Sequence, residues 1–220
     1  MLSASHSTST RRERRSSELR QRLFSAAIQL FARKGYSETT VEDITNTADV
    51  GKGTFFNYFP SKEHILAAFG QMQIAKVQAA ADAAPDTPLP IRVFLQNLAL
   101  DVISEPARNP AVVRALLQAN LSSEPVRNTM RDIHVRATSL LGQILAVGQQ
   151  RGEIRKDLEA NDMAQVLRQS LLGAMLIWSL YGDGSLEERI ENVFKLLWNG
   201  LEAPGDLSAP PLLPGEGKSR

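Results

Sequence analysis

Apolar residues recur every three or four positions along most of this chain, which is the spacing of one face of an α-helix. The alternation of apolar and polar residues that is typical of half-buried strands is missing throughout, as are the tight turns of β-hairpins. We therefore predict an all-α protein with about nine helices.

The first two helices are predicted from their end signals. A helix over about residues 18–34 has Ser17 as its N-cap and ends in a basic turn before Gly35. A second helix follows Thr40, and Asp43 stands three residues further on, as in a capping box.

A tight turn at residues 49–51 leads to a third helix over about residues 52–58. This helix ends near Pro60, since a proline disfavours helical geometry in the residue before it. Phe55 and Phe59 are four residues apart and are expected to lie in the core. Two short helices joined by a tight turn are typical of a helix-turn-helix, whose second helix enters the major groove of DNA.

The remaining chain predicts a larger helical domain over residues 61–201, after a DNA-binding domain over residues 17–60. Ser61 is expected to cap its first helix, which runs to about Ala83. The further helices are expected at about residues 91–103, just after Pro110, from Val126 to Gly152, around residues 163–178, and from a capping box at Ser185 and Glu188 to Gly200.

Charge separates the two parts of the chain. The net charge is +1, but residues 1–80 hold 11 Lys and Arg against 7 Asp and Glu, and residues 81–220 hold 14 against 17. A basic first part suggests that only this part meets a polyanion, and a chance imbalance of surface charge is the alternative. Four arginines fall in residues 1–16, which we predict to be a basic flexible arm; they are Arg11, Arg12, Arg14 and Arg15. Binding of this arm to DNA phosphates and a merely solvated tail are equal alternatives. Residues 202–220 are expected to be a disordered tail.

Several classes of protein lack their sequence signals here. The chain has no cysteine, its first ten residues have no apolar signal core, and its most apolar run, residues 171–181, is shorter than the roughly 20 residues that span a bilayer. We expect a soluble cytoplasmic protein without membrane contact. No zinc-protease pair, phosphate-binding glycine loop or nucleophile elbow occurs among its motifs, so neither an enzyme nor a metal or cofactor site is expected.

The helix-turn-helix region carries a specific combination of residues. In order, these are Gly35-Tyr36, Thr39-Thr40-Val41, Asp43-Ile44, Lys52-Gly53-Thr54, Tyr58-Phe59 and Ser61-Lys62-Glu63. Over about residues 18–66 the chain therefore resembles the TetR family of transcriptional regulators. The resemblance implies a dimeric DNA-binding protein, usually a repressor, that a small molecule releases from a palindromic operator. A helical ligand-binding or adaptor protein without specific DNA binding is the alternative.

The resemblance also implies which residues meet DNA. Contacts to the DNA backbone are expected from Thr40, Lys52, Thr54, Tyr58 and Lys62, and the residues nearest the bases are expected to be Lys52, Gly53, Phe56 and Asn57. Three positions depart from the family pattern, namely Asp49, Gly51 and Phe56. Phe56 matters most, because the family often has a tyrosine there and a phenylalanine lacks its hydroxyl.

For the larger domain, the resemblance implies an effector site between the fourth, fifth, seventh and eighth helices. The candidate lining residues are Phe69, Met72, Phe94, Leu98, His134 and Trp178. Ordinary core packing is the alternative for each, because aromatic and methionine side chains mostly fill space. Few of them are charged, so an apolar or aromatic effector is expected. The last two helices, around residues 173–178 and 193–198, are expected to form a homodimer interface as a four-helix bundle.

Overall fold

Nine α-helices make up most of the chain that the computed structural model describes, which is residues 11–104 and 110–201. They are α1 (Arg11–Lys34), α2 (Val41–Thr47), α3 (Lys52–Tyr58), α4 (Lys62–Ala83), α5 (Ile91–Ile103), α6 (Pro110–Ser122), α7 (Glu124–Arg151), α8 (Ala160–Tyr181) and α9 (Leu186–Leu201). A single turn of 3-10 helix, Ala84–Asp86, follows α4. The predicted all-α class is confirmed.

Two predicted helix ends are wrong. Helix α1 begins at Arg11 and includes Ser17, so residues 11–16 of the predicted flexible arm are helical. The arginines and glutamate of this stretch have high helix propensity, which outweighs the capping signal of Ser17. Gly200 lies inside α9, which continues to Leu201. The rest of the predicted arm, residues 1–10, and the predicted tail, residues 202–220, lie outside the described residues.

Helices α1, α2 and α3 enclose a small core of their own. Its largest fully buried side chains include Phe31, Phe55 and Phe59, so the predicted core positions of Phe55 and Phe59 are confirmed. Ala115 and Ala119 of α6 also belong to this cluster of buried residues. The core of the helix-turn-helix is therefore completed by a helix of the larger domain.

Helix α2 is fixed at its first turn by the predicted capping box. The backbone N–H of Asp43 donates to Thr40 Oγ1 at 3.1 Å, and the backbone N–H of Thr40 donates to Asp43 Oδ2 at 2.7 Å. Lys34, at the end of α1, places its Nζ 2.6 Å from the same carboxylate oxygen. Hydrogen bonds from Lys34 and Thr40 hold the pKa of Asp43 well below its usual range.

Helix α7 is the central element of the larger domain, because it packs against both α4 and α8. Glycines permit the close approach on each side. A Cβ on Gly70 of α4 would lie 2.5 Å from Ile133, and a Cβ on Gly142 of α7 would overlap Asn161 of α8. Gly152 ends α7 in the left-handed conformation, with φ of 76°, as predicted. No helix among the described residues is both long enough and apolar enough to cross a membrane.

Acidification tests the capping of α2. A carboxylate whose pKa is lowered by folding stabilises the folded state above its ordinary pKa of 3.8, and this contribution is lost as the pH falls toward the folded value. We expect the free-energy difference in unfolding between the wild type and Asp43→Asn to shrink from pH 6 to pH 3. Urea unfolding followed by circular dichroism measures it. A difference that stays constant over this range would show that the charge of Asp43 contributes nothing.

Candidate nucleic-acid interface

Helix α3 has one buried and one exposed face. Phe55 is completely buried, whereas the residues of the opposite face are exposed; these are Lys52, Gly53, Phe56 and Asn57. At 100° per residue, the exposed residues occupy one continuous arc of the helix. Thr54 and Tyr58 are half-buried and lie on one side of this arc. The structure thus brings six of the eight residues predicted to contact DNA onto one short helix.

Two arginines of α1 hold α3 and the preceding turn in place. The guanidinium of Arg20 lies 5.7 Å from the centre of the Phe59 ring, and Arg22 donates to the backbone carbonyls of Ala48 and Asp49 at the end of α2. Neither contact could be predicted from the sequence, because no local sequence signal links an arginine of α1 to a turn 26 residues later. These contacts fix the direction in which α3 leaves the core.

The turn between α2 and α3 uses the two unusual residues noted in the sequence. Asp49 has φ of 51°, the left-handed region that aspartate tolerates better than most residues. Gly51 occupies the N-cap of α3 and supplies no side-chain hydrogen bond, although Thr54 N–H donates to its carbonyl at 2.9 Å. The departures from the family pattern at these two positions therefore leave the turn intact.

Gly53 has no structural reason to be a glycine. A Cβ at this position would have no neighbouring atom within 4 Å, and the residue lies inside a helix, where glycine costs about 0.5–1 kcal/mol relative to alanine. The fold therefore gains nothing from the missing side chain. A surface that another molecule approaches closely does gain from it.

Phe56 places a large apolar group on the exposed face. Its side chain is 49% exposed, and its ring meets that of Phe55 edge-on at 5.3 Å. This contact with the buried Phe55 orients the Phe56 ring. An exposed phenylalanine on a polar surface can contact the methyl group of thymine, but it cannot donate a hydrogen bond.

The structure gives Lys62 a different role from the predicted phosphate contact. Its ammonium group donates to the carbonyls of Tyr36, Ser37 and Thr39 at 3.0, 3.4 and 3.1 Å, and lies 4.4 Å from the centre of the Tyr36 ring. An ammonium group has three hydrogens, so these carbonyls use all of its donors. Lys62 therefore ties the start of α4 to the segment between α1 and α2.

Thr40 is exposed, but its donors are also used within the protein. Both its hydroxyl and its backbone N–H donate to Asp43 Oδ2, at 2.6 and 2.7 Å. A contact from Thr40 to a DNA phosphate would have to replace one of these bonds. Its first role is to cap α2.

A second tie joins α4 to the same segment. The hydroxyl of Tyr36 donates to Glu63 Oε1 at 2.7 Å. Burial, followed by the charge and hydrogen bond of Glu63, raises the pKa of Tyr36, so its phenol stays protonated. Burial opposes ionisation of Glu63, but hydrogen bonds from Ser61 and Tyr36 outweigh it and lower its pKa. Ser61 is the N-cap residue of α4, as predicted, but its hydroxyl bonds the ring of His64 at 3.0 Å and no backbone N–H.

The structure shows the surroundings of each of the six residues predicted to line an effector site. Phe69 stacks on Phe24 of α1 with ring centres 6.2 Å apart, and Met72 is 51% exposed on α4. Leu98 is buried in the core of the larger domain, and Phe94 packs against that core. These four residues have the surroundings of ordinary packing or surface positions.

The other two predicted effector residues lie on α7 and α8. Trp178 is buried, and its Nε1 donates to the carbonyl of Gly184 at 3.3 Å. His134 is half-buried on α7, where its Nδ1 contacts the guanidinium of Arg168 on α8. A groove of about 460 Å³ on the outer side of α7 has none of the six predicted residues; it is lined by Gln78, Arg131, Asp132, Val135, Arg136, Ser139, Leu140 and Gln143. The effector site formed by the six residues stays a prediction.

The geometry defines a class of protein, a helix-turn-helix DNA-binding regulator with a separate helical domain. Comparison with known proteins supports this class. A family model named "Bacterial regulatory proteins, tetR family" matches residues 23–69, and one named "Tetracyclin repressor-like, C-terminal domain" matches residues 110–194. The chain belongs to the TetR family of bacterial transcriptional regulators.

Three similar proteins show how far the likeness extends. The transcriptional repressor DhaR of Mycobacterium sp. (strain GP1) is 31% identical over 165 residues, which cover 72% of this chain and 81% of DhaR. An uncharacterised HTH-type regulator of Mycobacterium tuberculosis (strain ATCC 25618 / H37Rv) is 32% identical over 62% of this chain, which spans 66% of that regulator's length. The crystal structure of Thermus thermophilus FadR, a TetR-family repressor in complex with lauroyl-CoA, is 27% identical with a TM-score of 0.62, and the match covers 90% of this chain and all of FadR.

The two lysines of the predicted surface should respond differently to truncation. Lys52→Ala should leave the free energy of unfolding unchanged and lower DNA affinity. The slope of the logarithm of affinity against the logarithm of salt concentration should fall by the contribution of about one phosphate contact per protomer. Lys62→Ala should lower the free energy of unfolding by about 1–2 kcal/mol, because it removes a charged donor from three carbonyls. Urea unfolding and fluorescence anisotropy at several salt concentrations measure the two effects. Equal effects of both variants on stability would show that Lys62 has no structural role.

Proposed function

We propose that this protein is a homodimeric repressor that binds a palindromic DNA operator and dissociates when a small molecule binds its larger domain. The observation that carries the proposal is the exposed face of α3, where a cation, an amide, an oriented phenyl ring and an unneeded glycine lie side by side. A DNA partner also suits a location in the bacterial cytoplasm.

Each group on this face suits a part of the major groove. Lys52, at the start of α3, is available to a phosphate or to a guanine edge, and Asn57 has the amide that pairs with adenine. Gly53 lets the helix approach the DNA closely, and Phe56 supplies an apolar contact for a thymine methyl group. Thr54 and Tyr58 flank these residues and offer hydroxyl groups to the DNA backbone.

Exposed apolar side chains on α8 and α9 support dimerisation. In the single chain the exposed residues are Val166, Leu172, Ile177, Leu180 and Tyr181 of α8 and Leu196 of α9. Gly173 lies among them, and a Cβ there would have no neighbour within 4 Å. A large exposed apolar patch is typical of an interaction site, and we propose that these residues form one. A two-fold pairing of α8 and α9 would cover it and place two copies of α3 in successive major grooves.

The effector is the least defined part of the proposal. The similar repressor FadR was solved with lauroyl-CoA, whose acyl group is an apolar chain. The cluster of buried residues between α4, α5, α7 and α8 is likewise apolar. An apolar or aromatic effector therefore suits this domain, and it would enter by moving these helices apart.

A path from such an effector to DNA runs through shared packing. Helix α4 begins at Lys62, beside the helix-turn-helix, and continues along α7. Helix α6 packs against both α1 and α8, and its Arg114 donates to the carbonyl of Ser179. An effector that binds one arrangement of these helices better than another would shift the spacing of the two α3 helices.

Operator binding is tested by selecting fragments of genomic DNA on the purified protein at low salt and sequencing them. The same selection with Gly53→Ala should give at least tenfold weaker enrichment, because the added methyl group stands between α3 and the DNA. The free energy of unfolding of the variant should be about 0.5–1 kcal/mol higher than that of the wild type. Lost binding will therefore not be due to unfolding. If the wild type enriches no site, the protein is a helical adaptor and the proposal is wrong.

Dimerisation is tested with two matched leucine variants. Leu196 is 75% exposed on α9, within the apolar patch, and Leu121 is 82% exposed on α6, outside it. Leu196→Glu should weaken self-association at least tenfold and weaken operator binding with it, since a charge must be buried in the interface. Leu121→Glu should change neither. Sedimentation velocity and anisotropy give both readouts, and a Leu196→Glu variant that still dimerises at wild-type affinity would place the interface elsewhere.

A further inference from the structure

One positive charge of the larger domain has no acidic partner among the residues that the structure describes. The side chain of Arg168, on α8, is half-buried, and its guanidinium contacts Nδ1 of His134 on α7. Within residues 11–104 and 110–201, no carboxylate lies within the 4.0 Å of an ion pair with it. By contrast, Arg155 forms a 2.6 Å ion pair with Asp157 on the surface.

The protonation states of this pair leave a net positive charge. Burial lowers the pKa of Arg168 to about 10, so the guanidinium remains charged at neutral pH. Burial, and then the nearby charge of Arg168, lower the pKa of His134 from 6.5, so the imidazole is neutral there. Buried charges in proteins are normally paired, because a charge without a partner loses its hydration without compensation.

A third polar group lies on α4, which packs against α7. Gln73 of α4 has a buried side-chain oxygen without a hydrogen-bond partner, the only such atom identified in the described part of the chain. Gly70 of α4 faces Ile133 of α7, and Arg136 of α7 donates to Gln78 of α4 at 3.0 Å. Gln73 lies between these two contacts along α4, as His134 lies between Ile133 and Arg136 along α7. The oxygen of its amide is available to accept a hydrogen bond.

Apolar side chains flank all three groups. On the three helices these are Ile74 and Val77 of α4, Ile133 and Ala137 of α7, and Leu167 and Leu171 of α8, and all belong to the core of the larger domain or pack against it. A cation, an imidazole and an amide beside the apolar core match a ligand that has one anionic head and an apolar body.

We infer that the effector of this protein is a small amphipathic organic acid, whose anionic head pairs with Arg168 and bonds His134 and Gln73 while its apolar body lies between α4, α7 and α8. This inference rests on the proposed function, because it assumes that the larger domain binds an effector. A planar guanidinium binds a carboxylate through two parallel hydrogen bonds, and a phosphate monoester offers the same chemistry. The ligand supplies the negative charge that the neighbouring helices lack.

The test compares acids with their neutral amides. Thermal unfolding of the full-length protein is measured with hexanoate, hexanamide and hexyl phosphate, and with benzoate and benzamide, at equal millimolar concentrations. At least one acid should raise the Tm by several degrees more than its amide, and Arg168→Met should abolish that difference. A larger rise in Tm with hexyl phosphate than with hexanoate would identify a phosphate head group. A larger rise with hexanoate would identify a carboxylate. If no acid exceeds its amide, the inference is wrong.

A second measurement needs no ligand. Without its anion, the charge of Arg168 destabilises the free protein, so Arg168→Met should raise the Tm by about 3 °C, whereas the control Arg155→Met, which breaks a surface pair, should not raise it. A lowered Tm or failure to fold in both Arg168→Met and Arg168→Gln would show that the guanidinium is structural and overturn the inference. Operator binding by the ligand-free wild type, measured on the same sample, tests the proposed function separately. If the wild type binds its operator but no acid raises the Tm more than its amide, the inference is wrong and the proposed function stands.

Discussion

The burial of Phe55 and Phe59 is the interaction on which the rest of the candidate interface depends. Helix α3 has seven residues, and isolated helices shorter than about 12 residues are marginal in water. Its stability must therefore come from tertiary contacts, and Phe55 is its only buried side chain. Because α1 and α2 enclose this ring, they also determine which side of α3 faces outward. The core therefore determines which face of this short helix is available to contact DNA.

The same core extends into the larger domain, so neither domain is independent. Ala115, Ala119 and Val126 of α6 and α7 are buried with the residues of α1 to α3, and Lys62 and Glu63 tie α4 to the segment before α2. A helix that moves in the larger domain must therefore carry part of the helix-turn-helix core with it. Discrete repacking of this kind is how small movements are transmitted in close-packed proteins.

Local signals in the sequence predicted local structure well. The capping box at Thr40 and Asp43, the tight turn at residues 49–51 and the buried pair of phenylalanines each depend on residues within four positions of one another. The role of Lys62 could not be predicted in this way, because its carbonyl partners lie 23 to 26 residues earlier. A lysine beside a recognition helix has the same sequence pattern whether it binds phosphate or closes a loop. Only the direction of its side chain distinguishes the two roles.

The larger domain shows the same limit more clearly. Aromatic and methionine residues have the same spacing whether they pack a core or line a ligand site. The sequence therefore could not show that Phe69 stacks on Phe24 or that Met72 is exposed. Arg168 was missed because an arginine on a helix is ordinary until its surroundings are known. Whether Arg168 has a partner depends on how α4, α7 and α8 pack together, which its neighbours in the sequence do not show. A protein that keeps such a charge half-buried without an acidic partner gives up some stability. A ligand that supplies the missing negative charge would couple its own binding to the packing of α4, α7 and α8.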